Sequence, residues 1–339
     1  MTTKKSLVLI GIITILVLLI AACATPEAGP QGDPGPQGAA GAEGPQGPPG
    51  EAPAASDLSC TDCHNDTSTL AGIKFAWSES VHGSGEAYVR GSSASCAGCH
   101  SGGGFSARVA AGLAPDEVEE GDPHPTRQDC RACHQIHTSY TGEDFALETT
   151  DPVEFYAIEG ATYDGGEGNL CASCHQPRRA FPEAVDGQVE ITSTHWGPHH
   201  GGQGSMLLGV AGAGDVTGEP SKHATGVEDT CVACHMGADR VHTFEPQIST
   251  CLECHSDVEN FDINGVQTEV RALVDELEEV LIARGLLDEE GHPAVQFVDE
   301  LEGAALWNWI YIAHEDGSYG VHNPSYTKDL LEWSLAVFQ

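Results

Sequence analysis

Cys231-Val-Ala-Cys234-His235 and Cys251-Leu-Glu-Cys254-His255 stand in the second half of a 339-residue chain. Four more copies of the same pattern precede them: Cys60-Thr-Asp-Cys63-His64, Cys96-Ala-Gly-Cys99-His100, Cys130-Arg-Ala-Cys133-His134 and Cys171-Ala-Ser-Cys174-His175. The six copies use every one of the 13 cysteines except Cys23. A lone Cys-x-x-Cys is compatible with a zinc knuckle or a redox pair. Neither of these requires a histidine directly after every second cysteine, and nor do disulfides across two-residue gaps.

Cys-x-x-Cys-His is the attachment signature of c-type haem. The two thiols add to the haem vinyl groups as thioethers, and the adjacent histidine becomes the proximal iron ligand. The sequence therefore predicts six covalently bound haem c groups, with His64, His100, His134, His175, His235 and His255 on their irons. Composition agrees. Between about Ser56 and Phe261 the chain has too few Leu, Ile, Val and Phe for an ordinary core of that length, and six porphyrins would supply the missing apolar volume. Most of the backbone in this stretch is expected as loops and short helices.

The sixth coordination sites must come from the remaining histidines. Beyond the start residue the chain has only Met206 and Met236, so histidine on both faces, with low-spin iron of low potential, is the expectation. Eleven histidines remain: His82, His124, His137, His195, His199, His200, His223, His242, His292, His314 and His322. His82, His137, His199, His223, His242 and His322 are the expected distal ligands. His137 lies too close to His134 to bind the same iron and would serve a neighbouring haem. His124, His195 and His200 are reserves, and the ordinary reading of any surplus histidine is a surface or propionate-bonding side chain.

The amino end reads as a targeting segment. Lys4 and Lys5 precede an apolar run, Leu7 to Ala22, that is short for a membrane span and ends at Leu19-Ile20-Ala21-Ala22-Cys23. This resembles a bacterial lipoprotein signal peptide (residues 1–22), with Cys23 as the lipidated residue. Gly29, Gly32, Gly35, Gly38, Gly41, Gly44, Gly47 and Gly50 then recur at a period of three, with proline in many positions between. Residues 23–56 are thus a collagen-like Gly-X-Y spacer, either a polyproline-like tether or a trimerising element. The expected boundaries continue with a hexahaem domain over 57–262 and a helical segment over 263–339 packed on it. In that last segment Val270, Leu273, Val274, Leu277, Val280 and Leu281 follow helical spacing, with Gly285 as the stop. Pro293 is read as opening a second periodic run through Phe297, Val298, Leu301, Ala305, Trp309 and Ile312. Asn323 and Pro324 look like the N-cap and first turn of a third helix.

The haem region resembles the multihaem c-type cytochromes related to cytochrome c nitrite reductase, hydroxylamine oxidoreductase and octahaem tetrathionate reductase. The resemblance rests on His223 ahead of Cys231-Val-Ala-Cys234-His235-Met236, on His242-Thr-Phe ahead of the sixth motif, and on His137-Thr after the third. It rests above all on Gly320-Val-His322-Asn-Pro-Ser-Tyr-Thr-Lys-Asp-Leu-Leu, and it covers roughly residues 57–339. It implies a mainly α multihaem cytochrome c fold with much irregular loop, long carboxy-terminal helices, and the matching histidines as distal ligands. The nitrite reductases carry Cys-x-x-Cys-Lys at their active haem. All six motifs here end in histidine, which speaks against ammonia formation by that design.

The chain has 51 acidic against 14 basic residues, a formal charge of −37. That excludes the basic footprint of a nucleic-acid binder. Together these features predict a lipid-anchored electron-transfer protein of the cell envelope, periplasmic or at the cell surface, working between redox protein partners and an external acceptor. The collagen-like repeat admits a homotrimer, and haems exposed at both ends a filament. The alternative is an oxidoreductase acting on a small nitrogen or sulfur compound at one haem without a distal ligand, with His292, His314 or the His195, His199, His200 cluster available for proton delivery.

Overall fold

The computed structural model describes residues 60, 64, 68–199 and 201–339. The signal-like segment, Cys23, the Gly-X-Y spacer, Cys63 and His200 lie outside the described residues. Helices longer than two turns are α1 (Ser68–Glu79), α2 (Gly102–Ala111), α3 (Val266–Ala283), α4 (Glu300–Ile310) and α5 (Pro324–Ala336). The described strands form two small antiparallel ladders. β1 (Val153–Glu154) pairs with β2 (Thr162–Tyr163), and β3 (Gln188–Glu190) pairs with β4 (Phe297–Asp299) in the register Val189 to Val298. The rest is single helical turns and loop, the mainly α, irregular architecture that the sequence implies.

The side-chain core lies where the apolar residues are. On α3, Val270, Val274, Leu277 and Leu281 are buried while Glu269, Asp275, Glu276 and Glu279 face solvent, an amphipathic stripe at helical spacing. α4 is buried on every side from Gly303 to Ile310, so it runs through the middle. A Cβ at Gly303 would meet Val189 Cγ2 at 2.5 Å, and the glycine is what lets α4 lie directly on β3. Asn323 caps α5, its side chain accepting from the Tyr326 N–H, and Pro324 occupies the first turn. The buried members of this core all lie at Val189 or later. A much smaller cluster forms around Phe155, Tyr163, Ala172 and Leu207.

One expectation is corrected. The run from Pro293 is not continuously helical, because Phe297–Asp299 is strand β4, with Val298 inward and its two neighbours exposed. The Asp299 carboxylate accepts from the Leu301 N–H at 3.1 Å and starts α4 there. Over so few residues the periods of strand and helix are hard to tell apart, and the cap decides the boundary. At its other end α4 widens into a π-helical turn, Tyr311–Asp316, closed by Gly317 at φ 65°. Among the described residues no helix is long and apolar enough to cross a membrane.

Candidate functional site

Each motif described in full is one helical turn. The histidine N–H donates to the carbonyl of the first cysteine at 2.7 Å in Cys60–His64 and 2.8 Å in the motifs of His134, His175 and His255. The motifs of His100 and His235 lie inside short helices, Ala94–His100 and Thr230–His235. A turn of this pitch sets the two cysteines, three apart, side by side, with the histidine following on the same face. All described motif cysteines and all six motif histidines line a single cavity of about 3550 Å³. Ordinary ligand pockets hold about 300–1,000 Å³.

Seven other histidines line the same cavity, and six of them face the motif histidines one to one. His64 faces His137 with ring centroids 6.1 Å apart, His175 faces His82 at 6.1 Å, and His100 faces His199 at 6.2 Å. His255 faces His223 at 6.2 Å, while His134 with His242 and His235 with His322 stand at 6.4 Å. Two imidazoles bound on opposite sides of one metal, each at about 2 Å, would have centroids about 6.3 Å apart. The six partners are the six histidines singled out as distal in the sequence. Of the reserves, His124 is exposed and His195 faces His292 at 6.4 Å, while His314, a candidate for proton delivery, packs on Trp309.

Local devices present these rings. His82 and His223 each sit one residue inside a short helix capped by serine. Ser80 Oγ accepts from the Gly83 N–H, and Ser221 Oγ accepts from the Ala224 N–H, both at 3.1 Å. His137 and His199 have φ of 70° and 83°, a left-handed conformation that a histidine rarely adopts. Around His137, the buried Asp144 carboxylate accepts from the N–H groups of His137, Ser139 and Tyr140 at 2.8, 2.6 and 3.1 Å. Around His199, the Gly197 backbone (φ 131°) brings the loop against Ile310.

The hydrogen bonds also set the tautomers. Nδ1 of His134, His223, His235 and His242 meets the carbonyls of Phe145, Val321, Phe244 and Arg240 at 2.7, 2.6, 2.9 and 2.8 Å. A carbonyl only accepts, so each ring donates from Nδ1 and keeps a lone pair on Nε2. His175 Nδ1 donates to Gln203 Oε1 at 3.0 Å, and Gln203 Nε2 in turn donates to the Glu315 carbonyl at 2.7 Å. His322 Nδ1 meets the Asp316 carboxylate at 2.6 Å. Burial, with His175 opposite, pushes His82 down to about 4, so it is neutral at pH 7.

Neighbouring motifs touch through their cysteines. The side chains of Cys99 and Cys174 are close neighbours, with Cys174 Sγ 4.0 Å from the Cys99 carbonyl, and those of Cys171 and Cys231 also interact. The turns Thr230–His235 and Ile248–Cys251 are in contact. The Phe244 ring lies 5.0 Å from His82 and 5.9 Å from His242. Buried Arg108 ties motif two to motif four, donating from Nε to the Gly98 carbonyl at 3.1 Å and from Nη2 to the Ser173 carbonyl at 3.2 Å.

No protein-family model and no curated protein matches the chain. Among solved structures it is similar to the outer cell wall cytochrome OcwA, with a TM-score of 0.50 and 19% identity over 78% of this chain and 50% of that one. The fold is that of a multihaem cytochrome. The chain spans half the length of OcwA. It is also similar to an undecahaem cytochrome from the S-layer of Carboxydothermus ferrireducens, with a TM-score of 0.43 and 19% identity over 73% of this chain and 38% of that one.

The donor set suits haem better than the other readings of Cys-x-x-Cys. Among the described residues the one group of three His, Cys, Asp or Glu close enough to share a small ion is Asp288, Glu290 and His292, none of which belongs to a motif. There Asp288 Oδ1 accepts from the N–H groups of Glu290 and His292, an ordinary turn. The motif cysteines and histidines are instead spread around the cavity, the histidines as facing rings. Sequence reasoning missed Gln203, Asp144, Asp316 and Arg108. None carries a motif signal, because each acts through the backbone or through a histidine it meets only in the fold.

Proposed function

We propose that the chain is a hexahaem c-type cytochrome of the cell envelope, anchored through a lipid on Cys23 and carrying electrons between redox partners and an external acceptor. The observation that carries this reading is the set of six facing histidine pairs at 6.1–6.4 Å, each joining one motif to one distal residue. Cys60, Cys63, Cys96, Cys99, Cys130, Cys133, Cys171, Cys174, Cys231, Cys234, Cys251 and Cys254 would hold the haems as thioethers. His64 with His137, His100 with His199, His134 with His242, His175 with His82, His235 with His322 and His255 with His223 would ligate the irons. Bound haem supplies reversible one-electron chemistry at iron.

The protein sets spacing and order. Thioethers form at the porphyrin rim, so cysteines in contact bring rims together. Cys99 with Cys174, and Cys171 with Cys231, put motif four between motifs two and five. Phe244 links motif four's distal His82 to motif three's His242, and His137 ties motif three to motif one. Motif six follows motif five. The route this supports runs one, three, four, five, six, with two branching at four. An envelope site is in keeping with the outer cell wall cytochrome whose fold the chain shares.

Every motif histidine has a facing ring, which favours a carrier over an enzyme with an open iron. The test is a haem count with optical spectra of the purified holoprotein, oxidised and reduced, before and after carbon monoxide. Six haems per chain, all low-spin and indifferent to carbon monoxide, are expected. A high-spin fraction near one haem in six that binds carbon monoxide would overturn the carrier reading in favour of an oxidoreductase.

A further inference from the structure

Six of the twelve facing histidines have a named Nδ1 partner, and five of those partners are neutral: four backbone carbonyls and the Gln203 amide. The sixth is a charged group. Asp316 Oδ1 meets His322 Nδ1 at 2.6 Å, and the Asp316 side chain is fully shielded from solvent. The carboxylate is held on its other side, where Oδ2 accepts from the Ser318 N–H at 3.1 Å and the Ser318 hydroxyl at 2.5 Å. It stands at the end of the π-helical turn Tyr311–Asp316, a feature that recurs at functional sites.

We propose that Asp316 sets the redox potential of the His235/His322 centre. The inference rests on the reading that these two histidines hold one haem. A buried carboxylate draws the Nδ1 proton toward itself and gives His322 part of the character of an imidazolate, a stronger donor that favours the oxidised metal. A carbonyl or amide partner does this less. The centre bound by His235 and His322 is thereby held at a lower potential than the same two ligands would give with a neutral partner. Asp316 is a positioning residue that acts only through His322. The electron comes from a neighbouring centre, and the proton stays in the Nδ1–carboxylate bond in both oxidation states. Through the contact of Cys171 with Cys231, this low step lies next to the branch point of the route.

Spectroelectrochemical titration of the full holoprotein tests this. In Asp316→Asn one haem in six should become easier to reduce. Its ratio of oxidised to reduced form at fixed electrode potential should fall by tenfold or more, which is 59 mV for a one-electron centre. The spectrum should remain low-spin. Six midpoints that overlay those of the unaltered protein would overturn the proposal. Ser318→Ala removes one of the two donors to Oδ2, the hydroxyl, together with the acceptor of the His322 backbone N–H, and leaves the contact of Asp316 with the His322 ring in place, so it should shift the same haem the opposite way. A shift in the same direction as Asp316→Asn, or none, also overturns it, even where Asp316→Asn assembles poorly. His322→Ala tests the underlying reading separately. A new haem that binds carbon monoxide supports ligation by His322, and its absence overturns that ligation whatever Asp316→Asn does.

Discussion

His137 keeps its left-handed backbone because Asp144 gathers the N–H groups of His137, Ser139 and Tyr140 onto one carboxylate. Asp144→Ala takes the acceptor away from all three N–H groups and, on the proposed reading, should free the ring facing His64. The expected outcome is one haem in six turning high-spin, read by a carbon monoxide difference spectrum. Glu315 gives a pH signature. Burial raises its carboxyl from 4.5 to about 7, against the opposing pull of the His199 N–H and Arg179. The native state thus holds the proton more tightly than the unfolded chain. Its stabilising effect is complete below pH 4.5 and is lost as pH rises through 7. Roughly 3 kcal/mol is at stake at most. Guanidinium midpoints should fall between pH 5 and pH 8, and Glu315→Gln should flatten that slope. At this scale the six histidines that face the motif histidines could be picked out from the sequence, and the groups that support them could not. Ser80-Val-His82 and Ser221-Lys-His223 share a cap signature that can be read locally, whereas Asp316 is six residues from the histidine it holds, with nothing between them to announce the contact.

Among the elements, α4 carries the most. Trp307 is fully buried, its indole N–H donates to the Ala211 carbonyl at 2.9 Å, and Trp196 packs edge-on against it at 5.1 Å. Trp307→Ala should cost about 3–5 kcal/mol, while Glu276→Ala on the exposed face of α3 should stay within about 0.5 kcal/mol. Guanidinium unfolding of both holoproteins measures the difference. α3 and α5 were readable because a 3.6-residue stripe and an Asn-Pro start are strong local signals. The junction at Asp299 was not, because Phe297 and Val298 fit either period until β3 is seen pairing with them. The π-helical turn was also invisible. It gathers three centres onto one piece of backbone, holding Gln203 for His175, the Glu315 carboxylate for His199, and Asp316 for His322.

Among the described residues, one cavity of about 3550 Å³ stands where residues 68–188 build only a small side-chain cluster, and the main side-chain core gathers on the carboxy-terminal helices. The composition already said that something other than side chains must fill this stretch. It could not say which motif neighbours which, because that order follows from contacts such as Cys99 with Cys174 that join residues far apart in sequence. The charge of −37 acts at this scale too. Adsorption to a positively charged electrode should be strong at 0.01 M salt and largely lost near 1 M, as the screening length falls from about 30 Å to about 3 Å. Voltammetric peak area against ionic strength checks it.

The pairing of histidines is interleaved along the chain, and on the proposed reading this gives assembly a direction. His82 waits for His175 and His223 waits for His255, whereas His64, His100, His134 and His235 wait for partners downstream. In a chain exported amino end first, the pair of His64 and His137 is the earliest to be complete and that of His235 and His322 the last. A product cut short anywhere between His255 and His322 keeps every attachment cysteine and would count as fully loaded by colour. It would nonetheless carry one iron open to dioxygen, so clipping its tail would turn an inert conductor into a source of reduced oxygen.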